Sequence, residues 1–562
     1  MAPGLAGFIA SGDDGQTWDD AVASVLASLD AEFTVIPGHG ARPGSVPSAG
    51  ARRLTWLDTF DWRLYRADLT LEYAAARRGG ELRLTVGDVV TEQPLAGFQA
   101  SRPHLLEDLP DGPVTARIAR LVAPRALLPM VTVTSASTVY RLLNPDQKTV
   151  ARLVVEHPSV PGTEPSPLPP RLTVTEVRGY QAEARRASRL VGSVPGIGPA
   201  AEPAFATALR AEGRTPADYS NKVDAAITAA MPAPQAAAVI LLRLLDTVDA
   251  NVAGVLADTD TEFLHDLRVS VRRTRSALKL FGDALTVGRG LTTEKLAFFA
   301  AEFKWVGDLT TPTRDLDVHL LDFEQTAAGL AAAKPDDLEP FRVFLGQRRR
   351  KEFRALTRGL RSPRFTDLTR NWRAVLTAIG DRQVNARRAT AVRSGSFGKV
   401  AGGTAGFLAA ERTRVAFGKV ARRGAAITPD SPAESLHDLR KRCKELRYAL
   451  EFFAPLHDPV VSAKVVGDLK RLQDCLGEFQ DTEVQIGEIR ALAAAMLAAA
   501  MLAAGEAPAV TLLAMGEVTA GLAARQRAAR ADFERRFSAF ADVEGQRRMA
   551  LLLRGAAGQE QN

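Results

Sequence analysis

The chain has 562 residues, 46% hydrophobic and 24% charged, which excludes wholesale disorder and predicts several domains of ordinary size. Two cysteines, Cys443 and Cys475, exclude a disulfide scaffold and a multi-cysteine zinc or iron–sulfur site, and fit a reducing compartment. Net charge is +7, yet the first 224 residues hold 23 Lys and Arg against 25 Asp and Glu, so the basic excess lies C-terminal and points to a polyanionic partner.

Residues 1–27 read as a polar, Gly-rich extension without the basic start of a secretory leader, with one short helix expected near 18–29. From 30 to 190, short runs alternate Val, Thr and Leu with polar residues, as at 69–73, 81–86, 130–133 and 149–155. Pro and Gly clusters separate them at 37–44, 124 and 158–170. This texture predicts an antiparallel barrel or sandwich. A Gly/Pro/Ala linker follows at 195–203.

After about 225 the apolar residues recur at three- and four-residue spacing, which predicts an all-helical region. Breaks are expected at 286–290, Pro312, Pro335, Pro363, 402–403, 429–432, 455–459 and 505–508. The longest strongly apolar window, 491–504, would cross only about two-thirds of a bilayer core as a helix, so no membrane span is expected.

An internal repeat dominates the helical region. Residues 259–281 (TDTEFLHDLRVSVRRTRSALKLF) and 431–453 (SPAESLHDLRKRCKELRYALEFF) align without a gap at an offset of 172, with 10 of 23 positions identical. Thr259 with Glu262, and Ser431 with Glu434, have capping-box spacing, and Pro432 suits the first helical position. A repeat of this size predicts a duplicated helical bundle, with repeat one at about 225–385 and repeat two at about 396–555.

Each repeated helix has an apolar seam: Leu264, Leu267, Val271, Thr274, Leu278 and Phe281 in the first, Leu436, Leu439, Cys443, Leu446, Leu450 and Phe453 in the second. Cys443 therefore reads as a small buried hydrophobe. Beside each seam runs a charged stripe: His265, Arg268, Arg272, Arg275 and Lys279, then His437, Arg440, Lys444, Arg447 and Glu451. The 3, 4, 3, 4 spacing puts each stripe on one face, where like charges repel. With Arg273, Lys441 and Arg442 included, each helix carries five Lys or Arg. A solvated rim would interleave Glu with Lys. These stripes instead offer phosphate contacts about 5–6 Å apart along the axis, onto which a linear polyphosphate ester or anhydride fits.

Two repeated histidines supply only two metal ligands, too few for a structural metal, so donation to phosphate is the expected role. A second matched piece follows each helix, at 302–323 and 468–489. In each, a helix is expected to end at a Gly or Thr-Pro turn, and Arg314–Asp315 or Gln480–Asp481 to open the next. Further basic candidates are Arg348, Arg349 and Lys351 within 342–364, which holds nine basic residues and one acidic, and Lys419, Arg422 and Arg423. Aromatics are hardly interleaved with these clusters, which disfavours base stacking on single-stranded nucleic acid.

The paired His-x-x-Arg helices, Arg-Asp-Leu-Asp-Val at 314–318 and Lys-Glu-Leu-Arg-Tyr at 444–448 resemble the CHAD domain, the conserved histidine α-helical domain, over about 225–555. That resemblance implies two four-helix bundles related by a pseudo-two-fold, with a basic groove that binds inorganic polyphosphate. The N-terminal part, 28–222, resembles a degenerate CYTH or triphosphate-tunnel domain through Trp-Leu-Asp-Thr at 56–59, Arg-Leu-Tyr-Arg at 63–66, the stretch 140–156 and Tyr-Ser-Asn-Lys at 219–222. It departs from that family at its opening Glu-x-Glu-x-Lys, of which 32–36 keeps only Glu32. The family's Leu-Arg-x-Arg strand is Leu-Thr-Leu-Glu at 69–72, and the arginines expected near 134–137 are Thr, Ser, Ala and Ser. The inward cations and metal carboxylates that triphosphate hydrolysis needs are therefore expected to be largely gone.

The fold class expected is multidomain α+β. The expected function is cytoplasmic, granule-associated binding of inorganic polyphosphate, with no catalytic residues, no cofactor, no metal, no membrane partner and no sequence-specific nucleic acid. A metal-dependent triphosphatase or polyphosphate-processing enzyme and a general polyanion or RNA binder are the alternatives.

Overall fold

The computed structural model describes residues 7–10, 17–38, 52–76, 79–87, 89–286, 291–391, 403–502 and 509–558. The chain divides into two compact units, Met1–Ser220 and Asn221–Asn562. The expected loop at 37–44, the breaks at 286–290, 402–403 and 505–508, the end of the apolar window at 491–504 and the start of repeat two at 396 fall wholly or partly outside the described residues.

The first unit begins with β1 (Gly7–Ala10), α1 (Trp18–Asp30), β2 (Thr34–Pro37), β3 (Arg52–Asp58), β4 (Leu69–Ala76), β5 (Gly79–Val86) and β6 (Val89–Leu95). There follow α2 (Pro113–Val122), β7 (Leu128–Leu143), β8 (Thr149–Val160), β9 (Ser166–Pro167), β10 (Arg171–Glu176), α3 (Gln181–Gly192), β11 (Ile197–Pro199) and α4 (Ala204–Ala211). The strands form one antiparallel sheet in the order β11-β1-β10-β8-β7-β3-β4-β5-β6, with β2 on β7 and β9 on β8. Alternation sets its faces: Leu71, Tyr73, Leu82 and Leu84 pack against Val114, Ile118 and Val122 of α2. Another core lies where α1 and α3 cover Leu142, Leu153 and Leu172.

Two expectations change here. The ladder has two ends, so among the described residues it is an open sheet and not a closed barrel. Both end strands carry a proline, Pro94 and Pro199, whose missing N–H suits an edge. The presumed extension 1–27 also contributes to the sheet unit: β1 pairs with β10 and β11, and Ala21 and Val25 of α1 are core residues.

The second unit is helical: α5 (Ala233–Leu256), α6 (Thr261–Thr286), α7 (Thr293–Leu321), α8 (Phe323–Ala328), α9 (Glu339–Leu360) and α10 (Pro363–Ala391) make repeat one. Repeat two has α11 (Ala405–Ala425), α12 (Ala433–Phe452), α13 (Pro459–Leu502), α14 (Ala509–Ala541) and α15 (Val543–Gly558). In repeat one α5, α6, α7 and α10 pack together. In repeat two α11, α12, the first part of α13, the end of α14 and α15 share one core. All twelve seam positions are buried. Cys443 is among them, and burial pushes its thiol up to about 12.

The helix starts differ from the expected capping boxes. Asp260, not Thr259, caps α6, its Oδ1 accepting from the Glu262 and Phe263 amides at 2.9 and 3.2 Å. In α12 Pro432 is itself the cap, and Ser431 Oγ accepts from the Thr428 amide. The expected breaks inside the second matched pieces do not occur. α7 runs through Pro312 and α13 through Gly477 and Asp481. Near Pro312 the Thr310 and Thr311 hydroxyls donate to the Val306 and Gly307 carbonyls of the same helix. Asp315 and Asp481 are therefore mid-helix residues, available to side chains instead of a helix dipole.

Candidate anion-binding site

The repeated helices α6 and α12 pack on each other. Phe281 and its repeat counterpart Phe453 meet with ring centroids 5.5 Å apart, as equivalent residues do beside a two-fold axis. Arg272 Nε donates to Tyr448 Oη at 3.0 Å, and Arg273 pairs with Glu451 at 3.0 Å. These contacts fix the two charged stripes edge to edge.

Between the stripes lies a cavity of about 630 Å³, lined on the basic side by His265, Arg272, Arg273, Arg440, Lys444 and Arg447. Lys444 marks its electrostatic centre. Burial, then Arg440 and Arg272, with Arg268 a smaller contributor, bring its ammonium down to about 8, against the pull of Asp481. Lys444 has no ion pair among the described residues, although Asp481 is near enough to favour its charge.

Sequence reasoning missed the opposite wall. Gln473, Asp474, Gly477, Glu478 and Asp481 of α13 line the same cavity. Asp474, Glu478 and Asp481 have a 4, 3 spacing that marks one helical face, but the presumed break at Gly477 hid it. Five Lys or Arg therefore face four carboxylates, Glu451 included, and the site is far less cationic than the stripes alone imply. Arg440 pairs with Asp481 at 2.8 Å, and Arg447 with Glu451 at 2.6 Å. The Gln473 carboxamide is buried with neither end hydrogen-bonded.

Several candidates fall outside this cavity. Arg268 is drawn onto α7, to the Thr311 hydroxyl, the Gly307 carbonyl and Asp315 at 3.7 Å. Burial, opposed by Asp315, holds its guanidinium below the usual arginine range. Arg275 also lies over α7, close to Gly307. Lys279 and Lys441 are exposed away from it. His437 is spent on Gln480, Nδ1 to Oε1 2.5 Å, and so does not join His265 in the cavity.

The remaining basic clusters lie outside this cavity as well. Arg349 is consumed by Asp258 at 2.6 Å and the fully buried Asp317 at 2.5 Å, a structural clamp on α9. Arg348 lines a separate cavity with Asp315, Glu352 and Glu488, and Lys351 is exposed on α9. On α11, Arg423 pairs with Asp438, Arg422 donates to the Gly418 carbonyl at 3.2 Å, and Lys419 lies half-buried. No group of three or more His, Cys, Asp or Glu suited to a metal assembles among the described residues. No helix among them is long and apolar enough to cross a membrane.

The sheet unit keeps more charge than its motifs imply. Burial, opposed by Arg83 and Arg52, raises Glu72 on β4, and Glu156 adds to the rise. Burial likewise raises Glu156 on β8, opposed by Arg52 and Arg171. Arg52, Arg83 and Arg171, from other strands, lie near enough to these two carboxylates to oppose the rise. Glu32, by contrast, pairs with Arg186 of α3. The matched loop residues are structural: Asp58 accepts from the Thr59, Leu64 and Tyr65 amides, and Arg63 and Arg66 hold backbone carbonyls of the same unit.

The family described as the CHAD domain matches residues 239–490. The chain is similar to the structure of the CHAD domain from the plant Ricinus communis, at 23% identity and TM-score 0.45 over 57% of this chain and 96% of that one. It is similar to PptA from Streptomyces chartreusis at 18% identity and TM-score 0.37, over 55% of this chain and 99% of that one. A Bacillus halodurans protein described as a candidate adenylate cyclase matches at 14% identity and TM-score 0.24, over 36% of this chain and 94% of that one. No curated protein matches the chain.

Proposed function

We propose that the helical unit, whose residues 239–490 are a CHAD domain, binds inorganic polyphosphate in the cavity between its two repeats. The observation that carries this reading is the convergence of Arg272 and Arg273 from repeat one with Arg440, Lys444 and Arg447 from repeat two on one cavity. Arginine forks grip phosphate oxygens bidentately, and the Lys444 ammonium supplies a point charge. The unpaired Gln473 amide adds a neutral donor to the same wall. Among the described residues lining the cavity, Tyr448 is the one Phe, Tyr or Trp, and it is engaged by Arg272, which favours a bare phosphate chain over stacked bases. Titration of the purified protein with polyphosphate, triphosphate and RNA at matched salt tests the reading. Polyphosphate should bind most tightly, and equal or tighter binding of RNA would make this a general polyanion site.

In the same reading the sheet unit does not hydrolyse triphosphate, and the protein works in the cytoplasm at polyphosphate granules. Glu32 faces Arg186 and 134–137 lack cations, which supports an inactive unit. A fluorescent fusion that stays diffuse in polyphosphate-rich cells would argue against the granule. One observation favours a second reading, a metal-dependent triphosphatase: Glu72 and Glu156 gather Arg52, Arg83 and Arg171 about them. Assay of the intact chain with magnesium and manganese decides between the two. Turnover lost in Glu72→Ala and Glu156→Ala would select the enzyme.

A further inference from the structure

The cavity's cations are not equally available. Glu451 accepts from Arg447 at 2.6 Å and from both Nε and Nη2 of Arg273 at 3.2 and 3.0 Å. Its side chain is only 20% exposed, and through Arg273 it ties α12 to α6. Removing such a carboxylate from its partners would leave buried charge unpaired. Asp481 differs. Among the described residues it makes one ion pair, to Arg440, and its side chain is 63% exposed while that of Arg440 is 19% exposed. The arginine is thus fixed in the wall and the carboxylate sits on its solvent side, with Gly477 leaving the neighbouring position bare of side chain. An exposed ion pair of this kind is worth little, because water stabilises the carboxylate nearly as well.

We propose that Asp481 is a tethered competitor: its carboxylate covers Arg440 in the ligand-free protein and gives way when a phosphate group of the polymer takes the same guanidinium. This rests on the polyphosphate reading and specifies how that site is tuned. Two consequences follow from charge balance. The freed Asp481 carboxylate stays beside the bound phosphate and keeps a cation there that the polymer would otherwise release, so this contact adds little to the salt dependence. The released Asp481 then stands beside a polyanion, which weakens binding further. Glu451 makes no such exchange, since its partners hold it on two sides.

The test compares wild type with Asp481→Asn and Asp481→Ala, titrated with inorganic polyphosphate over a salt series, with thermal melting to verify folding. Both variants should bind about two- to fivefold more tightly at low salt. Their log–log salt slope should steepen by up to about one, because Arg440 then neutralises a phosphate with no carboxylate beside it and the polymer sheds one more condensed cation. Unchanged or weaker binding with an unchanged slope in both folded variants would overturn the competitor while leaving the polyphosphate site standing. Wild type that fails to bind polyphosphate at low salt would overturn both.

Discussion

The two repeats carry the same motif to different ends. In repeat one, Arg268 is pulled onto α7 by the Thr311 hydroxyl, the Gly307 carbonyl and Asp315. Its counterpart Arg440 has Gly477 where Thr311 stands in repeat one, makes its ion pair with Asp481, and lines the cavity. Lys279 of the first stripe is exposed, whereas the matching Glu451 neutralises Arg447 and binds Arg273. Duplication therefore conserves where cations are placed along a helix, while single neighbours on α7 and α13 decide which of them face a ligand.

The largest expected effect breaks the comparison at its centre. Arg272→Glu with Lys444→Glu places an acid from each repeat in the cavity and should abolish polyphosphate binding in a calorimetric titration. Circular dichroism should stay helical, since both side chains lie off the buried seams. Next, Arg440→Ala should weaken binding about tenfold and Arg268→Ala by threefold or less, consistent with the loss of one charge-assisted contact in the first case only. Arg268→Ala should instead lower the melting temperature more, because it unpins α6 from α7. Equal binding losses would mean that Arg268 swings into the cavity when ligand arrives.

A pH series separates Lys444 from its neighbours. Its folded value is about 8 against an ordinary 10.5, so between these values the folded, ligand-free protein binds fewer protons than the unfolded chain. Stability from this group therefore rises with pH across that window, and below it the cost of the charged amine is fully present. Ligand binding runs the opposite way: polyphosphate needs the ammonium, so wild-type affinity should fall as pH climbs past about 8. Lys444→Arg should flatten both trends. Polyphosphate should also raise the melting temperature at neutral pH, because it binds only the folded site. The smallest effect concerns the joint itself. Glu451→Gln should lower the melting temperature by about 1–2 °C, the cost of roughly 1 kcal/mol in a unit of this size, while changing affinity little.

The seams and stripes were legible because a helix turns every 3.6 residues and the repeat preserves register at 172. The convergence of the stripes was not legible in the repeat itself: the CHAD resemblance implied it, and in the structure α6 packs on α12 with Phe281 against Phe453. The acidic wall was not legible. Pro312, Gly477 and the paired Arg-Asp and Gln-Asp steps look like helix ends, yet α7 and α13 run on, since tertiary packing overrides the local cost of a single Pro or Gly. Nor does spacing reveal that Arg349 is locked by Asp258 and Asp317, whose sequence distances from it are large. In the sheet unit the alternating runs gave β4, β5, β7 and β8, but the gathering of Glu72, Glu156, Arg52, Arg83 and Arg171 arises from strands brought together only by the sheet.

The central claim is that cations from both repeats hold one polymer at one site. A polyphosphate titration across a salt series, run on wild type, Arg272→Ala, Lys444→Ala and the double variant, tests it most directly. One shared site predicts that each single substitution lowers the salt slope by about one and that the two losses in binding free energy do not add. Strictly additive losses with an unchanged slope, or affinity indifferent to both residues, would contradict it and move the polymer to another surface.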